Sequence, residues 1–170
     1  RCHGLSEGKF ITFGVKESKD MLRWIAYHNE VYGDFSMLLS GLSMGASTML
    51  YLADQNLPSN VKGIIADCGF TSPWDIISVI FKRVIHLPDT PTLVVTDLIA
   101  KLCAGFGLKE KDTRRSLLKS RLPVFLVHGT DDGFVPCEMT RQGYEACSSA
   151  KQLLLVEGAD HGVSFLIAKD

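Results

Sequence analysis

Five residues, Gly41-Leu42-Ser43-Met44-Gly45, constrain the fold more than any other part of the chain. They follow the run Phe35-Ser36-Met37-Leu38-Leu39-Ser40 and precede a stretch, 46–56, that reads as a helix. A serine between two glycines at a strand-to-helix turn predicts a nucleophile elbow. Such a turn is so tight that the serine backbone is strained and the residues two positions away must lack bulk, which leaves Oγ projecting above the sheet. The first N–H groups of the following helix then point at whatever that oxygen attacks. With 15 glycines in 170 residues, about 0.1 accidental matches to this pattern are expected.

The rest of the chain supplies a context for the turn. Met21, Leu22, Ile25, His28 and Tyr32 lie at helical spacing, which predicts a helix over 17–31 laid on a sheet. Residues 35–39 read as a first strand. The apolar run 61–66, bounded by Pro58-Ser59-Asn60 and Asp67-Cys68-Gly69, reads as a second buried strand. Residues 123–128 and 153–156 are expected to be strands three and four, with a helix over 138–147 between them. Strands alternating with helices imply an α/β fold: a mostly parallel sheet of about four strands with helices on its faces.

Residues 70–121 break this rhythm. The segment is rich in bulky apolar residues, among them Trp74, Ile76, Ile77, Ile80, Phe81, Leu93, Val94, Leu98, Ile99 and Phe106, and is broken by Pro73, Pro88 and Pro91. An excursion this long inside a compact domain usually has a job. It reads as two or three helices forming a cap within a single domain, 1–170, though ordinary covering helices would show the same composition.

Composition narrows the partners. The net charge of −1 gives no electrostatic reason to expect nucleic acid. Lys109, Lys111, Arg114, Arg115 and Lys119 form a basic cluster, but Glu110 and Asp112 interrupt it, so a solvated surface is expected. Asp97 and Lys101 break the apolar segment 93–108, so no membrane span is expected. Five cysteines, an odd number without a C-x-x-C pair, argue against a disulfide framework and for a reducing, cytoplasmic compartment. The chain opens without methionine on a polar loop, which suggests an N-terminally truncated fragment whose missing part could carry an anchor or signal.

Two later motifs carry further chemistry. Strand three runs into His128-Gly129-Thr130-Asp131-Asp132-Gly133-Phe134-Val135-Pro136, placing carboxylates at the carboxyl end of a strand, where sites in open α/β sheets gather. Strand four runs into Glu157-Gly158-Ala159-Asp160-His161-Gly162, which presents an imidazole at the same edge. A serine hydroxyl is a poor nucleophile until a base takes its proton, and an imidazole base needs a carboxylate to hold its tautomer. Ser43, His161 and one of Asp131 and Asp132 fit these roles, in the chain order nucleophile, acid, histidine. His128 reads as a structural residue closing its turn.

Together the motifs resemble the α/β-hydrolase superfamily, and within it serine esterases and serine aminopeptidase-like proteins. The matching patterns are H-G-x-S-E-G at 3–8, G-x-S-x-G at 41–45, H-G-x-x-D-x-x-V-P at 128–136 and G-x-x-H-G at 158–162. The resemblance implies Ser43 as nucleophile, the Met44 N–H as an oxyanion donor, Asp132 as the acid and His161 as the base. Asp131 and, more distantly, Asp67 are the fallbacks for the acid.

It further implies that this chain is the C-terminal part of an eight-stranded fold, retaining strands five to eight. The second oxyanion donor would then be missing, the final helix cut short at Lys169-Asp170, and the strand before the elbow left as an exposed edge for a partner chain or a dimer to cover. The expected activity is hydrolysis of a small-molecule ester or acyl substrate, or less readily a thioester or amide, through an acyl-enzyme. The rivals are a prolyl-oligopeptidase-like peptidase and a non-catalytic module binding an apolar ligand or partner. Trp74, Phe81, Phe106 and Phe134 are expected to line an apolar pocket. No cofactor is implied, and no His/Cys/Asp/Glu group shows metal-ligand spacing.

Overall fold

A parallel sheet of four strands, taken in chain order, organises the molecule. The computed structural model describes residues 1–86 and 89–168. β1 (Met37–Leu42), β2 (Val61–Asp67), β3 (Val124–Gly129) and β4 (Lys151–Val156) lie side by side in the order β1-β2-β3-β4. Leu39 pairs with Ile64, Ile64 with Val124, and Leu126 with Leu153. In the described sheet β1 pairs with β2 alone, so the strand that carries the elbow is an edge.

The helices of the expected alternation are α1 (Val15–Tyr32), α2 (Met44–Leu50) and α6 (Cys137–Ala146). Right-handed crossovers between strands taken in sequence order put every connecting helix on the same face. One core cluster accordingly joins Ile25 of α1 and Leu50 of α2 to Leu39, Ile64, Val124 and Leu126 of the sheet. The flanking helices expected from the alternation thus gather on one face. On the other face Leu38, Leu42 and Leu154 stay 59, 44 and 40% exposed. The helical stripe is also narrower than its spacing suggested, because Tyr32 at the end of α1 is exposed.

Between β2 and β3 the described residues form α3 (Pro73–Ile80), α4 (Asp89–Ile99) and α5 (Thr113–Leu117), with π-helical turns at Phe81–Ile85 and Ala100–Ala104. Two of the prolines start helices rather than break them. Pro73 is the first residue of α3, behind a Ser72 side chain that accepts the Asp75 N–H at 3.1 Å, and Pro91 lies in the first turn of α4. Pro88 lies outside the described residues, as does the shortened end at Lys169-Asp170.

The segment builds a second core cluster in which Phe70, Ile76, Ile77, Leu93, Phe106 and Leu108 join Val15, Val135 and Met139. Arg114 departs from the solvated surface expected of its cluster. Its guanidinium bonds Asp112 and Asp75 and reaches Gln142 at 3.0 Å, tying α5 to α3 and α6.

Candidate active site

The chain turns from β1 into α2 through Ser43, whose backbone has φ 53° and ψ −118°. That left-handed φ is uncommon for a side chain larger than glycine's. It is held because the Ser43 N–H donates to Asp67 O at 2.8 Å while its C=O accepts from Ser47 N at 3.1 Å. A Cβ on Gly41 would run into the Gly45 carbonyl, whereas one on Gly45 would meet open space. The bulk limit read from both glycines thus falls on Gly41. Met44 is the first residue of α2, so its N–H belongs to the turn of a helix that has no intrahelical acceptor.

The carboxyl ends of β3 and β4 deliver the other two groups. The turn after β3 folds Asp132 inward, and its side chain is fully buried. Oδ1 accepts the N–H groups of Phe134 and Val135 at 2.9 and 2.8 Å. Oδ2 faces His161 Nδ1 at 2.7 Å, and His161 Nε2 lies 2.9 Å from Ser43 Oγ. A proton path from hydroxyl to imidazole, with a carboxylate behind the ring, is thus within hydrogen-bond reach throughout. Both fallback acids are engaged elsewhere. Asp131 is exposed and accepts from Thr130 Oγ1, and Asp67 accepts from Ser164 Oγ at 3.0 Å.

The loops carrying Asp132 and His161 are laced together. Asp131 N–H donates to Ala159 O at 3.1 Å, and Gly158 N–H to Thr130 Oγ1 at 2.9 Å. Asp160 Oδ1 accepts from both Gly133 N–H and His161 N–H, at 3.1 and 2.7 Å. Those two N–H groups hold the Asp160 carboxyl below its ordinary pKa. Gly129 ends β3 where any Cβ would strike the Ala159 carbonyl, so the two loops meet at backbone distance.

Two buried side chains at the site were not legible as parts of it. His128 is completely buried, with Nε2 at 3.0 Å from Val135 O and 3.1 Å from Asp132 Oδ2, and Nδ1 at 2.6 Å from Thr140 Oγ1. A carbonyl can only accept, so Nε2 carries the proton and Nδ1 accepts from the Thr140 hydroxyl. Burial pushes the His128 pKa down despite the nearby Val135 carbonyl and Asp132 carboxyl. The turn-closing role read from the sequence holds, and the contact with Asp132 is added to it.

Cys68 follows β2 at φ 47°, fully buried, and burial pushes its thiol up to about 12. Its sulfur and donor atoms of Asp132 and His161 all lie within 4.8 Å of one another. No sequence spacing signals that grouping, because the three residues come from three separate strand ends. The cysteines at 2, 68, 103, 137 and 147 are all free thiols.

Of the four expected pocket residues, Phe134 lies against the site, its ring edge-on to the His161 imidazole at 5.2 Å between centroids. Phe106 is buried in the second core cluster, and Trp74 and Phe81 pack against it; Trp74 also carries the Lys109 ammonium 3.8 Å above its ring. Met44 packs against the same cluster, so the insertion reaches the elbow. Among the described residues no helix is long and apolar enough to cross a membrane.

No family model matches the chain. It is similar to the uncharacterized protein YqkD of Bacillus subtilis strain 168, with 28% identity over 166 residues, covering 97% of this chain and 54% of YqkD. Among solved structures it is similar to the Pyrococcus furiosus esterase Pf2001, at 20% identity and a TM-score of 0.71, covering 98% of this chain and 62% of that one. It is also similar to the Pyrococcus horikoshii acylaminoacyl peptidase, at 16% identity and a TM-score of 0.66, covering 91% and 25% of the respective chains. The chain thus spans about half the length of the curated relative it matches. Structural likeness at such low identity is a likeness of fold.

Proposed function

The chain has the α/β-hydrolase fold, and on that premise we propose that it carries the triad of a serine hydrolase that cleaves a carboxylic ester through an acyl-enzyme. The observation that carries this reading is the unbroken contact from Ser43 Oγ to His161 Nε2 at 2.9 Å and from His161 Nδ1 to Asp132 Oδ2 at 2.7 Å. As His161 Nε2 takes the hydroxyl proton, Ser43 Oγ attacks the carbonyl carbon. The developing oxyanion rests on the Met44 N–H at the start of α2, where the helix dipole favours negative charge. Asp132, acceptor of two backbone N–H groups, steadies the imidazolium. Collapse expels the alcohol with the proton from His161, and water then repeats the cycle on the acyl-enzyme.

In this reading the helices of 70–121 are a cap over the site. Support comes from their cluster reaching Met44, and Phe134 beside His161 supplies apolar surface for an acyl or alcohol group. A fluorophosphonate probe tests the reading. It is expected to label the protein on Ser43, and Ser43→Ala to abolish labelling; absence of labelling in the folded protein favours a binding module without catalysis. A peptidase is the second reading, favoured by the likeness to an acylaminoacyl peptidase. Hydrolysis of aminoacyl arylamides but not of p-nitrophenyl esters selects it.

A further inference from the structure

We infer that Cys68, Asp132 and His161 form a binding site for a thiophilic divalent cation, Zn²⁺ in the first instance, and that filling it shuts the serine site down. The proposed mechanism makes no use of Cys68. Its sulfur nevertheless faces a carboxylate and an imidazole, with donor atoms of all three side chains within 4.8 Å of one another. Thiolate, imidazole and carboxylate together form a donor set that zinc takes, with bonds of about 2.0–2.3 Å that put tetrahedral ligand atoms roughly 3.3–3.7 Å apart.

The gathering needs only a local adjustment to reach that geometry. His161 Nδ1 and Asp132 Oδ2, at 2.7 Å, must part to admit an ion between them. The Asp132 side chain and Cys68 are fully buried, while the His161 side chain is 26% exposed. Its loop contains Gly158 and Gly162, both at left-handed φ. The imidazole is therefore the member that moves, and its side is the route in.

The chemistry balances without any electron transfer. Zn²⁺ forms a bond to Cys68 Sγ as the S–H bond breaks, and that proton leaves to solvent. The Asp132 carboxylate donates a lone pair. On His161 the proton passes from Nδ1 to Nε2, freeing the Nδ1 lone pair for the metal. With Nε2 protonated, the ring has no lone pair left to receive the Ser43 proton. This consequence rests on the serine-hydrolase reading; the binding itself does not.

The test uses the protein with Cys2, Cys103 and Cys137 replaced by serine, which removes the thiols that reach the surface, and titrates it with Co²⁺ as a spectroscopic stand-in and then with Zn²⁺. A thiolate-to-cobalt charge-transfer absorption that zinc displaces, and that Cys68→Ala abolishes, is the expected result. Zinc is also expected to slow fluorophosphonate labelling by about tenfold or more, reversibly with a chelator, and to lose that effect in Cys68→Ala, each protein scored against its own metal-free rate.

No absorption in the parent protein, or one that survives in Cys68→Ala, overturns the site. Should Cys68→Ala not fold, His161→Ala takes its place: it must keep the absorption but weaken cobalt binding about tenfold or more, and unchanged affinity overturns the site. Cobalt binding at Cys68 in a protein that the probe never labels leaves the site standing and removes the hydrolase reading. Labelling that zinc leaves untouched, without any absorption, does the reverse.

Discussion

His128 Nε2 stands 3.1 Å from Asp132 Oδ2, the same oxygen that meets His161 Nδ1 at 2.7 Å. The carboxyl is therefore held from behind by one imidazole while it orients another. Burial disfavours a charge on His128, and the Val135 carbonyl that Nε2 also faces keeps the ring proton pointing into the Asp132 turn. A proton added at Nδ1 would turn the Thr140 hydroxyl from donor to acceptor, its hydrogen passing to the Gly69 carbonyl 3.4 Å away, and would charge a group shut away from water.

This arrangement makes stability fall in mild acid. The folded-state pKa of His128 is depressed, so below its ordinary value of about 6.5 the unfolded chain takes up a proton that the folded one does not. Stability is fully present above that pH and declines as pH falls toward the folded value. Thermal unfolding followed between pH 7 and 5 should show the decline, and His128→Gln should flatten it while lowering the melting temperature at pH 7. An equally steep decline in His128→Gln excludes His128 as the cause.

The two neighbouring acids should separate cleanly. Asp132→Asn leaves the imidazole without its anion, and a loss on the order of 10⁴ in turnover is expected. Asp131→Asn changes an exposed side chain bonded to Thr130, and turnover within about threefold of the parent is expected. Steady-state hydrolysis of a p-nitrophenyl ester compares them, and equal losses would contradict the assignment.

One oxygen of Asp160 joins the backbone of the Asp132 loop to that of the His161 loop, which under the serine-hydrolase reading makes it a positioning residue. Asp160→Ala is expected to lower kcat by about tenfold or more with little change in KM, because geometry rather than substrate binding is disturbed. Asp160→Asn keeps an acceptor oxygen and should recover most of the rate. Loss in KM alone would point to substrate contact instead.

Gly41→Ala should unfold the elbow. Its new Cβ would meet the Gly45 backbone, which cannot give way without moving the start of α2. A cost of more than about 3 kcal/mol is expected in urea denaturation. Gly45→Ala, with open space at the corresponding point, should cost less than about 1 kcal/mol.

Tyr51→Phe tests the other extreme. The Tyr51 hydroxyl is buried without a hydrogen-bond partner among the described residues, and burial raises its pKa well above the ordinary value. Removing an unsatisfied buried hydroxyl should leave stability unchanged or raise it by about 1 kcal/mol, read from the denaturation midpoint.

The order and type of the main elements were legible because each depends on local pattern. Apolar runs bounded by turn residues marked β2 and β3, and the helical repeat of Met21, Leu22 and Ile25 marked α1. The ends drifted: β1 begins two residues later than the expected strand and runs on to Leu42, immediately before Ser43. Periodicity registers the buried middle of an element and not the hydrogen bonds that end it. Which face of the sheet stays open was not legible in the strand sequences, because crossover handedness and not residue type decides where helices go.

Sequence by itself determined that a serine would stand at a strained turn, that acidic and imidazole side chains would follow later strands, and that all would reach the carboxyl edge of one sheet. Such features follow from short-range rules of backbone sterics and strand direction. Local pattern left Asp131 and Asp132 equivalent, and only the resemblance preferred the one that the fold turns inward; tertiary structure alone decided that His128 shares its oxygen and that Cys68 lies against the same pair. Those choices depend on which backbone N–H and C=O groups each folded loop leaves pointing at its neighbour, and residues this far apart in the chain carry no spacing that records the answer.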